Sequence, residues 1–348
     1  MFLWDDDTLP PSANADGWRA STICPPNWPH ALATCGGTFF HTPPGLLVGA
    51  AAGAEVQYLT LGDPQAPRAI AALTLQRCRL SLRARHARLA TPPAARDASD
   101  RFATTRALHD WLATTGVADV VMDSFAATHE PDACLAGERS DRVEFVIPID
   151  GSVDVFASCS THHRRCIVAG ERHGWTLRLL AGAEAATALG HVMATASARA
   201  RSRGDAFTPE PVSGALASTG SPHDAWGTLT AAAYAGGRLL SAALIGWGNH
   251  GAYYLCGGST PEGYAAASAP WLHWATMQTL RSAGHTTYNL GGVAASARDA
   301  TSPAHGLYRF KAAFGVRPVP RASVRWVLRS RHARTHAAAR WVAARARA

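Results

Sequence analysis

Short runs of apolar and β-branched residues mark the strands in the first half of the chain. They predict strands at residues 38–41, 69–75, 117–123 and 143–149. A helical pattern at residues 99–115 precedes the third of these strands. Strands that alternate with a helix indicate an α/β protein.

The middle of the chain continues this alternation. A helical periodicity predicts a helix at residues 153–173, which ends before Gly174. A strand at residues 175–180 follows, and a long alanine-rich helix then spans residues 184–203. The order of helix and strand seen in the first half is therefore repeated.

An antiparallel meander comes next in the pattern. Its strands are predicted at residues 228–235, 238–247 and 252–255. The tight turn Gly236-Gly237 joins the first two, because glycine tolerates the positive φ angles of a two-residue hairpin. A helix that Ser268 can cap follows the meander.

The chain contains one lysine, Lys311, against 32 arginines. A helix at residues 305–314 would align three apolar side chains on one stripe. They are Leu307, Phe310 and Phe314. Lys311 would lie about 60° from the centre of this stripe. Since a compact ammonium and a planar guanidinium are not interchangeable, a lysine here is either snorkelling to water or serving a functional site.

Basic residues dominate the end of the chain. The net charge is +8, no acidic residue follows Asp299, and eleven basic side chains lie in the last 49 residues. An extended segment at residues 317–329 would place arginines on one face and apolar side chains on the other. The arginines are Arg317, Arg321, Arg325 and Arg329, and the apolar residues are Val324, Trp326 and Leu328. The arginines and a helical tail at residues 331–347 could bind phosphates, although a solvated strand face explains the same pattern.

Length and composition place limits on the class of protein. A chain of 348 residues exceeds the usual size of one core, so two domains are expected, at residues 1–150 and 151–316. The basic segment at residues 317–348 can complete the first domain. No apolar run approaches the roughly 18 residues of a membrane span. An acidic amino terminus unlike a signal peptide favours a cytoplasmic protein, and seven scattered cysteines favour reduced thiols.

Signatures of phosphate-binding loops, dinucleotide folds and serine hydrolases are absent from the sequence. One group of residues has the character of metal ligands at helical spacing. Its members are Cys159, His162, His163 and Cys166. The adjacent Arg164 and Arg165 oppose a cation, and such residues are common in helices without a metal. We therefore expect no metal site.

Several segments of the second half together resemble a known family. They are the meander end Ala252-Tyr-Tyr-Leu-Cys-Gly-Gly-Ser259, the strand Thr287-Tyr-Asn-Leu-Gly-Gly292 and the helix Gly306-Leu-Tyr-Arg-Phe-Lys-Ala-Ala-Phe-Gly315. This part of the chain, about residues 150–320, resembles the Fem family of aminoacyl-tRNA-dependent transferases and their GNAT-fold relatives, the N-acyltransferases. The Phe-Lys-x-x-Phe-Gly element is the most specific part of the match.

The resemblance implies an α/β fold of two tandem GNAT-like domains with a substrate channel at their junction. Each domain would be a mixed, largely antiparallel sheet flanked by helices. Members of the family join an aminoacyl group from charged tRNA to an amine, by direct attack and without a cofactor. The acceptor would be a small metabolite or a peptide, and less readily a peptidoglycan precursor. We expect a monomeric enzyme with tRNA as its partner.

The resemblance also assigns residues. Lys311 would stabilise charge near the reacting ester, and Phe310 would pack beside it. Tyr288 and Asn289 would bind substrate, and Asn289 stands where relatives usually carry Asp, which removes a possible acid/base partner. Two further candidates for substrate binding or proton transfer adjoin the lysine. They are His305 and Tyr308.

Two other functions remain open from the sequence. An acyl-CoA-dependent N-acyltransferase of the same fold would carry a glycine-rich turn that binds pyrophosphate at a helix amino terminus. The corresponding segment, residues 257–263, has glycines at a different spacing. A non-enzymatic RNA- or membrane-binding protein would explain the basic tail but not the single lysine.

Overall fold

The computed structural model of the chain describes residues 17–50, 53–78, 81–127, 137–202, 220–249 and 251–328. Arg329 and the predicted helical tail lie outside these residues. The chain divides into two compact units. The first comprises the described residues of Met1–Leu46, Ala50–Ser140 and Arg321–Ala348, and the second those of Leu47–Gly49 and Asp141–Pro320.

The strands are numbered in chain order. They are β1 Trp18–Ser21, β2 Glu55–Leu61, β3 Ala69–Cys78, β4 Ser81–Leu89, β5 Ala94–Ala95, β6 Val117–Met122, β7 Glu138–Pro148, β8 Thr176–Leu180, β9 Trp226–Ala235, β10 Arg238–Gly248, β11 Gly251–Ser259, β12 Thr287–Ala294 and β13 Val319–Val327.

The helices are numbered in the same way. They are α1 Trp28–Cys35, α2 Pro43–Leu46, α3 Arg101–Thr114, α4 Val155–Ser158, α5 Thr161–Arg172, α6 Gly182–Ser202, α7 Pro261–Ala265, α8 Ala269–Ser282 and α9 His305–Ala312. Short 3₁₀ helices lie at Phe39–His41, Ala98–Asp100 and Ala295–Arg298. Within the described residues, none of the helices has both the length and the apolar character that crossing a membrane requires.

The sheet of the first unit has the strand order β1-β2-β3-β4-β6-β13. Its pairs are antiparallel except for β4 with β6, which is parallel. One face carries the core, into which α3 inserts Leu108, Trp111 and Leu112. The predicted helix 99–115 and the strands at 69–75 and 117–123 are confirmed. The unit is therefore a mixed, largely antiparallel sheet.

One predicted strand of this unit is wrong. Residues 38–41 read as apolar and β-branched, but Phe39–His41 is a 3₁₀ helix. The Thr38 N–H donates to His41 Nδ1 at 3.1 Å, and Trp28 Nε1 donates to the His41 carbonyl at 2.9 Å. These bonds satisfy a backbone N–H and a backbone carbonyl that a strand would pair with a neighbouring strand, so the segment forms a local turn instead.

The alternation predicted for the last strand is confirmed. Val324 and Trp326 of β13 are buried in the core of the first unit, and Leu328 packs against it. Arg325 points to the other face, where it pairs with Asp119 of β6. The period of two residues along a strand is sufficient to place these side chains.

The sheet of the second unit has the strand order β7-β12-β11-β10-β9-β8. The predicted meander forms β9, β10 and β11, and the turn residues Gly236 and Gly237 have φ angles of 53° and 80°. Strands β11 and β12 run parallel and pair only between Gly251–Tyr253 and Thr287–Asn289. Beyond these residues the ladder between the two strands ends.

The helix predicted at residues 153–173 is two helices. Asp154 accepts the Ala157 N–H and begins α4, and Ser160 accepts the His163 N–H and begins α5. Cys159, between them, has an extended backbone with ψ of 147°. Asp154 and Ser160, six residues apart, each begin a helix, and they interrupt a pattern whose periodicity alone predicts one continuous helix.

Candidate active site

Lys311 is the buried residue of α9, with 4% of its surface exposed. Its Nζ donates to the Gly292 carbonyl of β12 at 3.1 Å and lies 5.9 Å from the centre of the Tyr254 ring. The predicted apolar stripe is wrong at Leu307, which is 46% exposed. Phe314 is fully buried, so the packed face of the segment runs through the lysine rather than beside it.

Burial makes the ammonium of Lys311 costly. Burial and, to a lesser extent, the charge of Arg142 lower the pKa of Lys311 to about 7. Glu144, on the same strand as Arg142, acts in the opposite direction. The lysine therefore changes its charge near neutral pH, where ordinary lysines stay protonated.

Glu144 is a fully buried carboxylate of β7. Tyr253 Oη donates to its Oε1 at 2.8 Å, and Asn289 Nδ2 donates to its Oε2 at 2.9 Å. Two neutral donors thus hold the carboxylate in place. The sequence reasoning did not single out Glu144 or Tyr253. The available signal was an acidic residue inside the apolar run at residues 143–149.

Asn289 joins the carboxylate to the backbone of its own strand. Its Oδ1 accepts the Gly291 N–H at 2.8 Å while its amide nitrogen binds Glu144. Gly291 has a φ angle of 71° and lies in an irregularity of the pairing between β12 and β7. A Cβ built there would stand 3.5 Å from both Lys311 Nζ and Tyr253 Oη. That Cβ would also stand 3.1 Å from the Tyr254 carbonyl oxygen, so the positive φ angle and this close approach together favour glycine.

A second buried pair lies next to the lysine. His273 Nδ1 and Tyr288 Oη are 2.8 Å apart, and neither residue is more than 3% exposed. Burial lowers the pKa of His273 to about 3, and the charge of Lys311 adds to this shift. Burial also raises the pKa of Tyr288. Both side chains are therefore neutral at physiological pH. Phe310 packs against His273, with ring centres 5.8 Å apart.

The histidines and cysteines that had metal-ligand spacing contact one another and other protein groups, and Cys166 Sγ lies 3.6 Å from His162 Nε2. His163 Nε2 lies 3.1 Å from the Phe310 carbonyl, and burial lowers the pKa of His163 to about 4. Burial raises the pKa of Cys159 to about 11, which disfavours its thiolate. Among the described residues, no group of three or more His, Cys, Asp or Glu side chains is arranged to hold a metal ion.

His305 and Tyr308 lie at the start of α9, where their contacts differ from those of Lys311. Their rings stack with centres 6.3 Å apart, His305 Nδ1 lies 3.1 Å from the Ala297 carbonyl, and Tyr308 packs edge-on against Phe145. Of the six residues that the sequence assigned to chemistry or substrate binding, the structure brings four together. They are Tyr288, Asn289, Phe310 and Lys311.

The predicted phosphate-binding arginines have different surroundings. Arg317 is exposed and Arg321 is buried, with 7% exposure. Arg325 bonds Asp119 at 2.8 Å and Glu138 at 3.3 Å. Carboxylates already engage the guanidinium of Arg325, so Arg317 is the better placed of the described arginines for a phosphate.

The helix that follows β11 has few free amides. Pro261, at its first turn, has no N–H, and the Gly263 N–H donates to the Thr260 hydroxyl at 3.0 Å. A Cβ at Gly263 would stand 1.9 Å from the Leu240 carbonyl, so the backbone approaches β10 closely here. The amides that would hold a pyrophosphate at a helix amino terminus are therefore partly consumed within the protein.

Known proteins share this fold and part of this sequence. Residues 157–312 match the family model described as an acetyltransferase (GNAT) domain. The crystal structure of FemX covers 88% of this chain and 97% of its own, with 13% identity and a TM-score of 0.64. A conserved protein of unknown function from Bacteroides thetaiotaomicron covers 84% and 90%, with 9% identity and a TM-score of 0.52. No curated protein matches the chain significantly in sequence. The chain therefore has a Fem-like GNAT fold, and its residues 157–312 are similar to an acetyltransferase (GNAT) domain.

Proposed function

We propose that the chain transfers an aminoacyl group from aminoacyl-tRNA to the amine of a small metabolite or a peptide. The observation that carries the proposal is the burial of Lys311. Among the described residues, its hydrogen bond goes to a neutral carbonyl and not to a carboxylate. A buried cation held in this way keeps its charge available for an anion that develops during a reaction.

The reaction is a direct attack of a neutral amine on the ester carbonyl of the donor. The carbonyl oxygen gains negative charge as the tetrahedral intermediate forms, and the ammonium of Lys311 stabilises that charge. The bond to the ribose oxygen then breaks, and the proton that the attacking amine loses passes to that oxygen, so that an amide and a ribose hydroxyl form. Binding both substrates supplies proximity, so no covalent intermediate on the enzyme is required.

Four observations support charged tRNA as the donor. The fold is Fem-like over nearly the whole chain, and the resemblance of the Phe-Lys-x-x-Phe-Gly element is to tRNA-dependent transferases. The turn from β11 into α7 offers few amides for a pyrophosphate, because Pro261 lacks one and Thr260 binds another. Arg317, exposed ahead of β13, is available to the tRNA backbone.

An acyl-CoA donor is the second candidate. It is favoured by the match of residues 157–312 to a family model whose members are described as acetyltransferases. Such an enzyme would use the same attack by an amine, and it would also have to stabilise the oxyanion. The two candidates differ in the leaving group, which is a ribose hydroxyl in one and a thiol in the other.

A donor assay distinguishes them. The purified chain is incubated with an amine panel and either a pool of charged tRNA or a series of acyl-CoA thioesters, and amide products are measured by mass spectrometry. We expect product from charged tRNA that ribonuclease treatment of the donor abolishes. Product that forms from acyl-CoA and resists ribonuclease would contradict the tRNA donor and support the second candidate.

A further inference from the structure

Glu144 and Asn289 are linked by the way their strands pair. In the antiparallel register of β7 and β12, Gly292 lies opposite Glu144 and Asn289 opposite Val146. The irregularity between Asn289 and Gly292 brings the amide of Asn289 onto the carboxylate of Glu144. The carbonyl of Gly292, the residue opposite Glu144, accepts the hydrogen bond from Lys311. The ammonium of Lys311 is thus bonded to the residue that lies opposite Glu144 in the register, without a direct ion pair between them in the described residues.

We propose that Glu144 is a positioning residue that keeps Lys311 protonated and aligned for the acyl transfer, and that Asn289 and Tyr253 hold it there. The proposal rests on the proposed function for its catalytic consequence. Glu144 acts through Lys311 and does not touch substrate, because both of its oxygens already accept hydrogen bonds inside the protein.

The other groups that face Lys311 do not supply a negative charge. They are Arg142 on β7, Tyr253 and Tyr254 on β11 and His273 on α8, and behind His273 lie His163 on α5 and Tyr288 on β12. Burial lowers the pKa of His163 and His273 and raises that of Tyr254 and Tyr288, so these groups are neutral near pH 7, and Arg142 repels the ammonium. Among the described residues, Glu144 is the carboxylate that favours the charged lysine.

The identity of residue 289 follows from this arrangement. An amide can donate to Glu144 and accept from the Gly291 N–H at the same time, which Asn289 does. An aspartate could accept from Gly291 but would place a second carboxylate against Glu144. Two carboxylates in contact repel each other and share a proton. The pair therefore works with one acid and one amide.

An exchange of the two groups tests the proposal. Glu144→Gln removes the negative charge. The double variant Glu144→Gln, Asn289→Asp restores the negative charge on the neighbouring strand, at residue 289, and keeps the hydrogen bonds. The amide at 144 then donates to the acid at 289 and accepts from Tyr253, and the acid accepts from Gly291. Glu184→Gln is the control, because Glu184 is an exposed carboxylate of the same unit that pairs with Arg178.

The protonation of Lys311 can be measured without an activity assay. Since Lys311 is the chain's single lysine, labelling with [ζ-¹⁵N]lysine gives one side-chain nitrogen signal, and its shift is followed against pH. We expect Glu144→Gln to lower the pKa of Lys311 by about one unit or more. The double variant should return it to within about half a unit of the parent, and Glu184→Gln should leave it unchanged.

A parent-like pKa in Glu144→Gln would overturn the proposal, as would a folded double variant that fails to restore it. If Glu144→Gln does not fold, the double variant carries the test through its own titration. In the activity assay, the alkaline limb of kcat should move to lower pH in Glu144→Gln by the same amount as the pKa. A parent chain inactive with every donor would refute the proposed function, while the nitrogen titration would still decide the role of Glu144.

Discussion

Each unit of the chain contains a buried carboxylate beside a cation, and the two arrangements differ in how the charges meet. In the first unit, Asp119 contacts Arg325 at 2.8 Å and also the imidazole of His86. In the second, Glu144 accepts from two neutral donors while Lys311 binds a carbonyl. The first arrangement is a closed ion pair. The second keeps the cation free to meet another anion.

The pKa values reflect this difference. Burial raises the pKa of Asp119, but hydrogen bonds from His86 and Arg325 outweigh it and hold that pKa at about 2. Burial lowers the pKa of Lys311 to about 7. The ion pair of Asp119 therefore stabilises the first unit. The buried ammonium of Lys311, which has no direct ion pair among the described residues, destabilises the second. Such a cost is expected at a functional site.

The largest expected effect is on activity. Lys311→Met removes the charge from the site and should reduce kcat about 10²–10³-fold, the usual loss for one oxyanion donor. Lys311→Arg should also be impaired, by at least about tenfold, because a planar guanidinium does not fit the position of a buried ammonium. Arg309→Met is the matched control, since Arg309 is an exposed cation of the same helix, and should retain parental kcat.

The stability of the same lysine variants also tests the contrast between the two units. Lys311→Met should unfold at a denaturant concentration equal to or higher than that of the parent, because it removes an unpaired buried charge. Near-parental kcat in both lysine variants would contradict the role of Lys311. A strong loss of stability in Lys311→Met would contradict the contrast between the two units.

The next effect is on stability and concerns the first unit. Asp119→Asn leaves Arg325 and His86 without their buried anion and should destabilise the protein by about 3 kcal/mol, the lower end of the range for a broken buried pair. Chemical denaturation followed by circular dichroism measures this loss. Asp110→Asn is the control, because that exposed aspartate pairs with the adjacent His109, and should change stability by less than about 1 kcal/mol. Equal losses in the two variants would refute a stabilising role for the Asp119 cluster.

The sequence predicts the elements of the second unit well because their signals are local. Gly236 and Gly237 fix the hairpin, and the periodicity of residues 305–314 fixes the helix that carries Lys311. The identification of Lys311 also came from sequence, through its rarity and its motif. The resemblance to Fem-family proteins is confirmed at the level of fold.

The environment of Lys311 is not readable from local pattern. Glu144 alternates with apolar neighbours in β7 and has the pattern of a solvent-facing residue. Its burial depends on Tyr253 and Asn289, which are 109 and 145 residues away in the chain. The irregularity that turns Asn289 toward it arises from the pairing of two strands. Sequence analysis could note that Asn replaces the usual Asp, but only the structure shows the carboxylate on the neighbouring strand.

The Asp119 and Lys311 arrangements should also respond differently to pH. The effect is smaller, about tenfold for each pH unit. If the ammonium of Lys311 is required, kcat should fall as the pH rises through about 7. Stability from Asp119 should be fully present above about pH 4 and lost as the pH falls through about 2, because its folded pKa lies below the unfolded value. The folded pKa of Lys311 also lies below its unfolded value, but a lowered pKa disfavours the charged form of a lysine, so its cost to stability should diminish as the pH rises from about 7 towards 10.5. A pH–rate profile and denaturation at several pH values measure these effects, and a kcat that stays constant from pH 6 to 9 would contradict the need for a charged lysine.

The smallest expected effect distinguishes a free arginine from a paired one. Arg317→Gln should weaken the use of charged tRNA by a few fold and reduce the slope of log(kcat/KM) against log salt by about one, since one phosphate contact is lost. Arg325→Gln should leave this slope unchanged, because Asp119 and Glu138 already bind its guanidinium, and should instead lower stability. A salt titration of kcat/KM for both variants measures the difference. A reduced slope in Arg325→Gln with none in Arg317→Gln would mean that the tRNA phosphates select the arginine of the ion pair over the exposed one.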